Sequence, residues 1–205
     1  MAQPNDDDIV TRTRFIGLDP TACALLTAFW PAIEPELPAI LDGFYQHVTT
    51  FPPLKKMVGD KLPRLKQSQA AHWRRLFTGR FDAAWLSGVQ TIGQAHHKIG
   101  LEPRWYIGGY TYVLNRLITV ALRTHRWSPG KLAPLINAVN SAVMLDMDIA
   151  ITVYQDAVLR EKAQRGKQVD TLLREFEGKT AGLVGLVASA ATKLEATARS
   201  LSETT

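Results

Sequence analysis

The sequence predicts an all-α fold, and three observations carry that prediction. Apolar residues recur at three- and four-residue spacing along most of the chain. Prolines open several of these stretches, one of them directly behind a capping aspartate. Stretches that alternate apolar and polar residues, as a half-buried strand would, are nearly absent. With 205 residues, 46% hydrophobic and 21% charged, the chain has room for one domain with a full core and an appendage.

Taken in order, Asp19-Pro20 reads as an N-cap with proline at the first helical position and opens a helix through Trp30. Pro31, Pro35 and Pro38 then predict a bend. A second helix carries Leu37, Ile40, Leu41, Phe44 and Val48 on one side and ends at Pro52-Pro53. Asp60 caps a third, basic helix that ends near Gly79. A fourth spans Asp82 to Gly100, and a fifth runs from Pro103 to Arg126 with the stripe Ile107, Tyr110, Leu114, Leu117 and Ala121.

Ser128-Pro129 opens a sixth, very long helix with two apolar sides. Leu132, Leu135, Val139 and Ala142 form one; Ile136, Val143, Met147, Ala150, Tyr154 and Ala157 form the other. A helix apolar on two sides is covered on both, so a homodimer is expected. From Glu161 the composition becomes charged. Val169, Leu173, Phe176, Thr180, Leu183, Val187, Ala190, Leu194, Thr197 and Leu201 then alternate steps of four and three, the heptad of a coiled coil. The domains read as 1-160 and 161-205, the second being a linker and the start of a signalling helix that is expected to continue beyond Thr205.

Several classes are set aside. Cys23 is the only cysteine and makes neither an internal disulfide nor a cysteine cage. The start MAQPNDDDIV has no leader pattern. No apolar run reaches the roughly 18 residues that span a bilayer, Asp146, Asp148 and Asp156 interrupting the best candidate. A cytoplasmic protein without a membrane span is expected. The net charge of +5 gathers between Lys55 and Arg80, but no nucleic-acid motif accompanies it. Nucleophile elbow and phosphate loop are lacking, so no enzyme is expected; Asp146 and Asp148 point to different sides of their helix and are expected to accept bonds from a neighbouring helix or subunit.

The five histidines form no zinc motif. His96 differs from the rest, sharing a helix face with Val89, Ile92, Gly93 and Ile99, beside a glycine that admits a close neighbour. His97 is turned from it by about 100°. Periodicity alone leaves His96 either a hydrogen-bonded core imidazole or an axial ligand to a haem iron.

The segment IGQAHHKIGLEPRWYIGGY, residues 92 to 110, is similar to the proximal signature of globin-coupled sensors, in which a histidine is followed by two residues and then Ile-Gly-Leu. LDGFYQHV at 41 to 48 and RLKQSQAAHWRRLFTGRFD at 64 to 82 extend the resemblance to about residues 10 to 160. It implies a globin-like fold holding haem b, with His96 as iron ligand. Tyr45 is then the residue that donates a hydrogen bond to a bound gas. Phe44, Leu65, Ile92, Ile99 and Tyr110 are implied to line the pocket, with Ser68 as a second donor, although Gln69 is equally placed for that role. Lys66, Arg74 and Arg75 stand as candidates for the propionates, and Trp105 and Tyr106 for the haem edge or a helix contact. The resemblance further implies that the last two globin helices form a four-helix bundle across a homodimer.

Residues 176 to 205 look like the start of a methyl-accepting chemotaxis domain. That implies an aerotaxis transducer for dioxygen or another diatomic gas, acting through a coupling protein and a histidine kinase. A diguanylate cyclase output, a haem enzyme such as a nitric oxide dioxygenase or peroxidase, and a haem-free helical module are the other readings.

Overall fold

The structure is a computed structural model and describes residues 6–203. Residues 1–5, read above for a leader, and Thr204 and Thr205 lie outside them, as does the side chain of Leu201. Among the described residues there are helices and no strands: α1 (Asp6–Phe15), α2 (Pro20–Ile33), α3 (Leu37–Val48), α4 (Pro52–Val58), a 3-10 turn (Gly59–Lys61), α5 (Leu62–Leu76), α6 (Ala83–Lys98), α7 (Pro103–Thr124) and α8 (Pro129–Glu203).

The boundaries follow local chemistry. Asp19 Oδ1 accepts the Ala22 N–H at 2.8 Å and caps α2, with Pro20 in the first turn. Proline stands in the first turn of α3, α4, α5 and α7 as well, where its missing N–H has no intrahelical partner to lose. Three expectations are corrected. Pro31 does not end α2, which runs on to Ile33. Pro52-Pro53 both closes the stretch after α3 and opens α4. The basic helix begins at Leu62 behind a 3-10 turn that includes Asp60, and Asp60 does not cap it. Helix α1, which no periodicity announced, is fastened to α8 by Arg12, which pairs with Asp148, and by Ser141 Oγ donating to the Ile16 carbonyl at 2.9 Å.

The described chain divides after Ala157. In the first unit α3 packs against both α5 and α7, α2 against α7, and α5 against α6. The core holds Leu26, Ile33, Phe77, Trp85, Val89, Leu117, Val143 and Ile149, all essentially free of solvent. Each such side chain contributes about 1.5–3 kcal/mol through burial. The α8 residues read above as two apolar sides are buried or half-buried here through Ala157.

The second unit, from Val158, is helical through Glu203, and its described side chains beyond Val158 are exposed. Val169, Leu173, Phe176, Leu183, Val187 and Leu194 are each more than half exposed. One window of α8 is long and apolar enough by length and composition to cross a membrane, and half of that window is buried within the protein.

Candidate functional site

Helix α6 is built to deliver one side chain near its end. Asp82 Oδ1 accepts the Trp85 N–H at 2.9 Å and starts it. Trp85, Leu86, Val89 and Gly93 form its buried side. A Cβ on Gly93 would stand 2.8 Å from the Ala150 carbonyl oxygen and 3.0 Å from Val153 Cβ. The glycine therefore admits helix α8, and not a ligand as its place beside His96 had suggested. At the other end Gly100 takes φ +71°, a conformation that favours glycine. The Leu101 N–H reaches the His96 carbonyl at 2.9 Å and the Gly100 N–H that of His97 at 2.9 Å. That paired return is a Schellman cap. The Ile-Gly-Leu run is thus the physical stop of α6, and it fixes His96 one turn before the end.

The His96 imidazole is largely buried, and burial, with the nearby His72 adding to it, lowers its pKa to about 4. It is neutral at physiological pH, with a buried Nδ1 that has no hydrogen-bond partner. The Tyr106 ring meets it edge to face at 4.7 Å between centroids. From Tyr106 a chain of hydrogen bonds leads inward. Tyr106 Oη and Tyr110 Oη are 2.8 Å apart, Tyr110 donates to Asp146 Oδ2, and His72 Nε2 lies 2.8 Å from that same oxygen. A carboxylate only accepts, so Nε2 of His72 carries the proton. Asp146 is fully buried and its Oδ1 is unpartnered.

On α3, Tyr45 is buried against Phe44, their rings 5.0 Å apart, and burial pushes its phenol up to about 12. Leu65 and Ile92 are half-buried, and Ile99 is 51% exposed. Ser68 is exposed, whereas Gln69 is half-buried with an inward Oε1 that has no partner. The structure thus joins His96 with Tyr106 and Tyr110, and groups Tyr45 with Phe44 on another helix. Lys66 pairs with Asp42 at 2.6 Å, and Arg74 pairs with Glu34. These two ion pairs border a groove of about 500 Å³ over Trp30, Leu37, Leu41 and Ala70, a place His96 does not line. Trp105 packs on Phe51 at 5.3 Å; Gly109 meets the Phe44 ring, and Gly108 meets nothing.

The protoglobin family model matches residues 5–160 of the chain. The chain belongs to the protoglobin family. A protoglobin of this kind is similar to the heme-based aerotactic transducer HemAT of Halobacterium salinarum, 28% identical over 110 residues; these are 52% of this chain and 22% of that protein, so the match spans about a fifth of the relative's length. Among solved structures, the globin domain of the Geobacter sulfurreducens globin-coupled sensor superposes with a TM-score of 0.66 at 20% identity, over 70% of this chain and 95% of that one. The ferric globin domain of Escherichia coli DosC gives 0.56 at 17%, over 72% and 99%. The all-helical, globin-like fold expected from the sequence is thereby shown.

The family implies haem, and the donor chemistry fits one: a neutral, buried imidazole with an unpartnered nitrogen is what an iron ligand requires. Among the described residues no cluster of three or more His, Cys, Asp or Glu offers a competing metal site. The cavity bordered by His96, Gly93, Leu101, Pro103, Tyr106 and Tyr154 measures about 10 Å³, room for a single water. A porphyrin therefore enters only by displacing side chains around His96. Sequence reasoning passed over His72; Asp146 was expected to accept bonds from a neighbouring helix or subunit, and it does so from α5 and α7. The α5 spacing Leu65, Gln69, His72, Leu76 was the available signal for His72, since it sets that imidazole on the inward side.

Proposed function

We propose that this protoglobin is the haem-based sensing part of an aerotaxis transducer, with His96 as the protein ligand to the iron of haem b. One observation supports the reading: at His96, in the segment that resembles the globin-coupled-sensor signature, stands a largely buried, neutral imidazole behind a helix cap, with one nitrogen unpartnered. When bound, haem supplies a ferrous iron that takes dioxygen or another diatomic gas reversibly. The chain's own part is to hold and discriminate. His96 presents a lone pair at pH 7 because burial keeps it unprotonated. Tyr45, protonated at pH 7 like any tyrosine and held so more firmly by burial, would donate a hydrogen bond to a gas ligand that carries partial negative charge. Phe44, Leu65, Ile92, Ile99 and Tyr110 make up the apolar and aromatic surround. Gln69 joins Tyr45 as the polar contact in place of Ser68, since Gln69 is half-buried where Ser68 is exposed, its amide N–H being the donor.

The output reading rests on residues 176 to 205 and on the transducer named among the relatives. The exposed apolar seam of the second unit supports a coiled coil with a second copy; a bundle of α7 and α8 across the homodimer belongs to the same reading. A coupling protein and a histidine kinase would receive the signal. The role is signalling and not catalysis.

The test is an absorption spectrum of the purified protein after haem addition. A Soret band in the wild type that is lost in His96→Ala is the expected result. The absence of such a band in the wild type overturns the reading.

A further inference from the structure

Asp146 is the least expected residue of the first unit. It is 0% exposed, in an apolar stretch of α8 between Leu145 and Met147, and a buried carboxylate is costly unless fully hydrogen-bonded. Its Oδ1 has no partner. A packed apolar side chain at the same place would serve core stability better. What the carboxylate gains is direction. Its Oδ2 accepts from Tyr110 on α7 and from His72 on α5. Both protons point at Asp146, so the Tyr110 oxygen is left to accept, and the proton between the two tyrosines comes from Tyr106 at 2.8 Å. Every donor in the string is thereby assigned, and the Tyr106 ring is held edge-on to His96 at 4.7 Å. A tyrosine pair without this acceptor has no preferred sense, and its rings have no anchor in α8.

We propose that Asp146 is the positioning residue for His96, one buried carboxylate oxygen that sets the tyrosines of α7 against the imidazole and locks α5, α7 and α8 together behind it. The purpose of that positioning rests on the haem reading above, because His96 matters there as the iron's holder. The effect reaches His96 through two ring contacts and not by touching it. It works like an outer-shell partner that orients a metal ligand, with the difference that it acts across helices. It also gives α8, the helix that continues into the second unit, a specific grip on the orientation of that ligand.

The experiment uses the 205-residue chain labelled with ¹⁵N-histidine and compares wild type, Asp146→Asn and Tyr110→Phe, first without haem and then with it. Without haem, the imidazole resonances of His72 and His96 shift in Asp146→Asn, while those of His125, which packs on Phe29, stay in place. In Tyr110→Phe the His96 resonances shift as well. With haem, the iron–histidine stretching band moves in both variants and haem affinity falls about 10- to 100-fold, the range found for outer-shell partners. A folded Asp146→Asn protein whose His72 shifts while His96 does not overturns the proposal, since Asp146 is then a core residue only. If Asp146→Asn fails to fold, Tyr110→Phe decides: an unmoved His96 overturns the proposal and a moved one supports it. A wild type that takes up no haem overturns the haem reading alone. The haem-free resonances then decide by themselves whether Asp146 positions His96.

Discussion

The contact between α6 and α8 at Gly93 makes a sharp prediction, because two glycine-to-alanine changes should move stability in opposite directions. A Cβ on Gly93 would stand 2.8 Å from the Ala150 carbonyl oxygen, 3.0 Å from Val153 Cβ and 3.1 Å from Val153 Cγ1. Two of these atoms belong to backbone or to a branched carbon next to it, so relief requires the helices to part. Overpacking of this kind costs about 1–3 kcal/mol, and the backbone contact puts Gly93→Ala at the upper end. The better helix propensity of alanine returns about 1 kcal/mol, leaving a net loss of about 1–2 kcal/mol. Gly108 on α7 meets nothing within 4 Å, so Gly108→Ala keeps only the propensity gain of about 1 kcal/mol. At about 2–4 °C per kcal/mol for a unit of this size, Gly93→Ala should melt about 2–8 °C below wild type and Gly108→Ala about 2–4 °C above it. Tryptophan fluorescence is the assay, because Trp30, Trp73, Trp85, Trp105 and Trp127 all lie in the first unit. A Gly93→Ala protein melting at or above wild type would refute the close approach.

Three further outcomes are expected. The buried His96 stays neutral down to about pH 4 in the folded chain, whereas an unfolded histidine protonates near 6.5; the unfolded state therefore binds more protons between these values, and stability falls as pH drops through that window, by at most about 3 kcal/mol from this group. Urea titrations of haem-free wild type and His96→Leu at pH 7 and 4.5 check this, the variant showing the smaller loss. Because Gln69 Oε1 is buried without a partner, Gln69→Met should leave the haem-free protein unchanged or raise its stability by about 1 kcal/mol, and Ser68→Ala, at an exposed position, should alter neither melting temperature nor gas dissociation rate. Leu173→Glu with Phe176→Glu, placed in the exposed seam of the second unit, should weaken the dimer in sedimentation; a wild type that sediments as a monomer at micromolar concentration refutes the coiled coil.

The helices were legible where side chains speak to their own neighbours. Asp19-Pro20 and Asp82 announce starts that depend on a cap three residues away, and Ile99-Gly100-Leu101 announces a stop that depends on five. Helix α1 was not legible, because its hold on α8 joins Arg12 to a residue 136 positions on. Pro31 misled because a proline that breaks an isolated helix can be tolerated inside one held by Leu26, Phe29 and Ile33. The site divides in the same manner. His96 was read from a local signature, whereas Asp146 meets Tyr110 across 36 positions and His72 across 74. No periodicity within one helix encodes that meeting. A carboxylate in an apolar helix was visible, but its partners were a matter of tertiary packing.

The stop at Gly100 also answers what the second histidine of the doublet is for. Helix α6 can neither lengthen nor slip by one residue without losing its left-handed glycine, so the azimuth of each imidazole is fixed from the chain end. His97 is turned by about 100° from its neighbour and packs on Tyr154 of α8, ring to ring at 5.4 Å. Two adjacent imidazoles are therefore no spare pair: a chain deprived of the first has no means of rotating the second into its station.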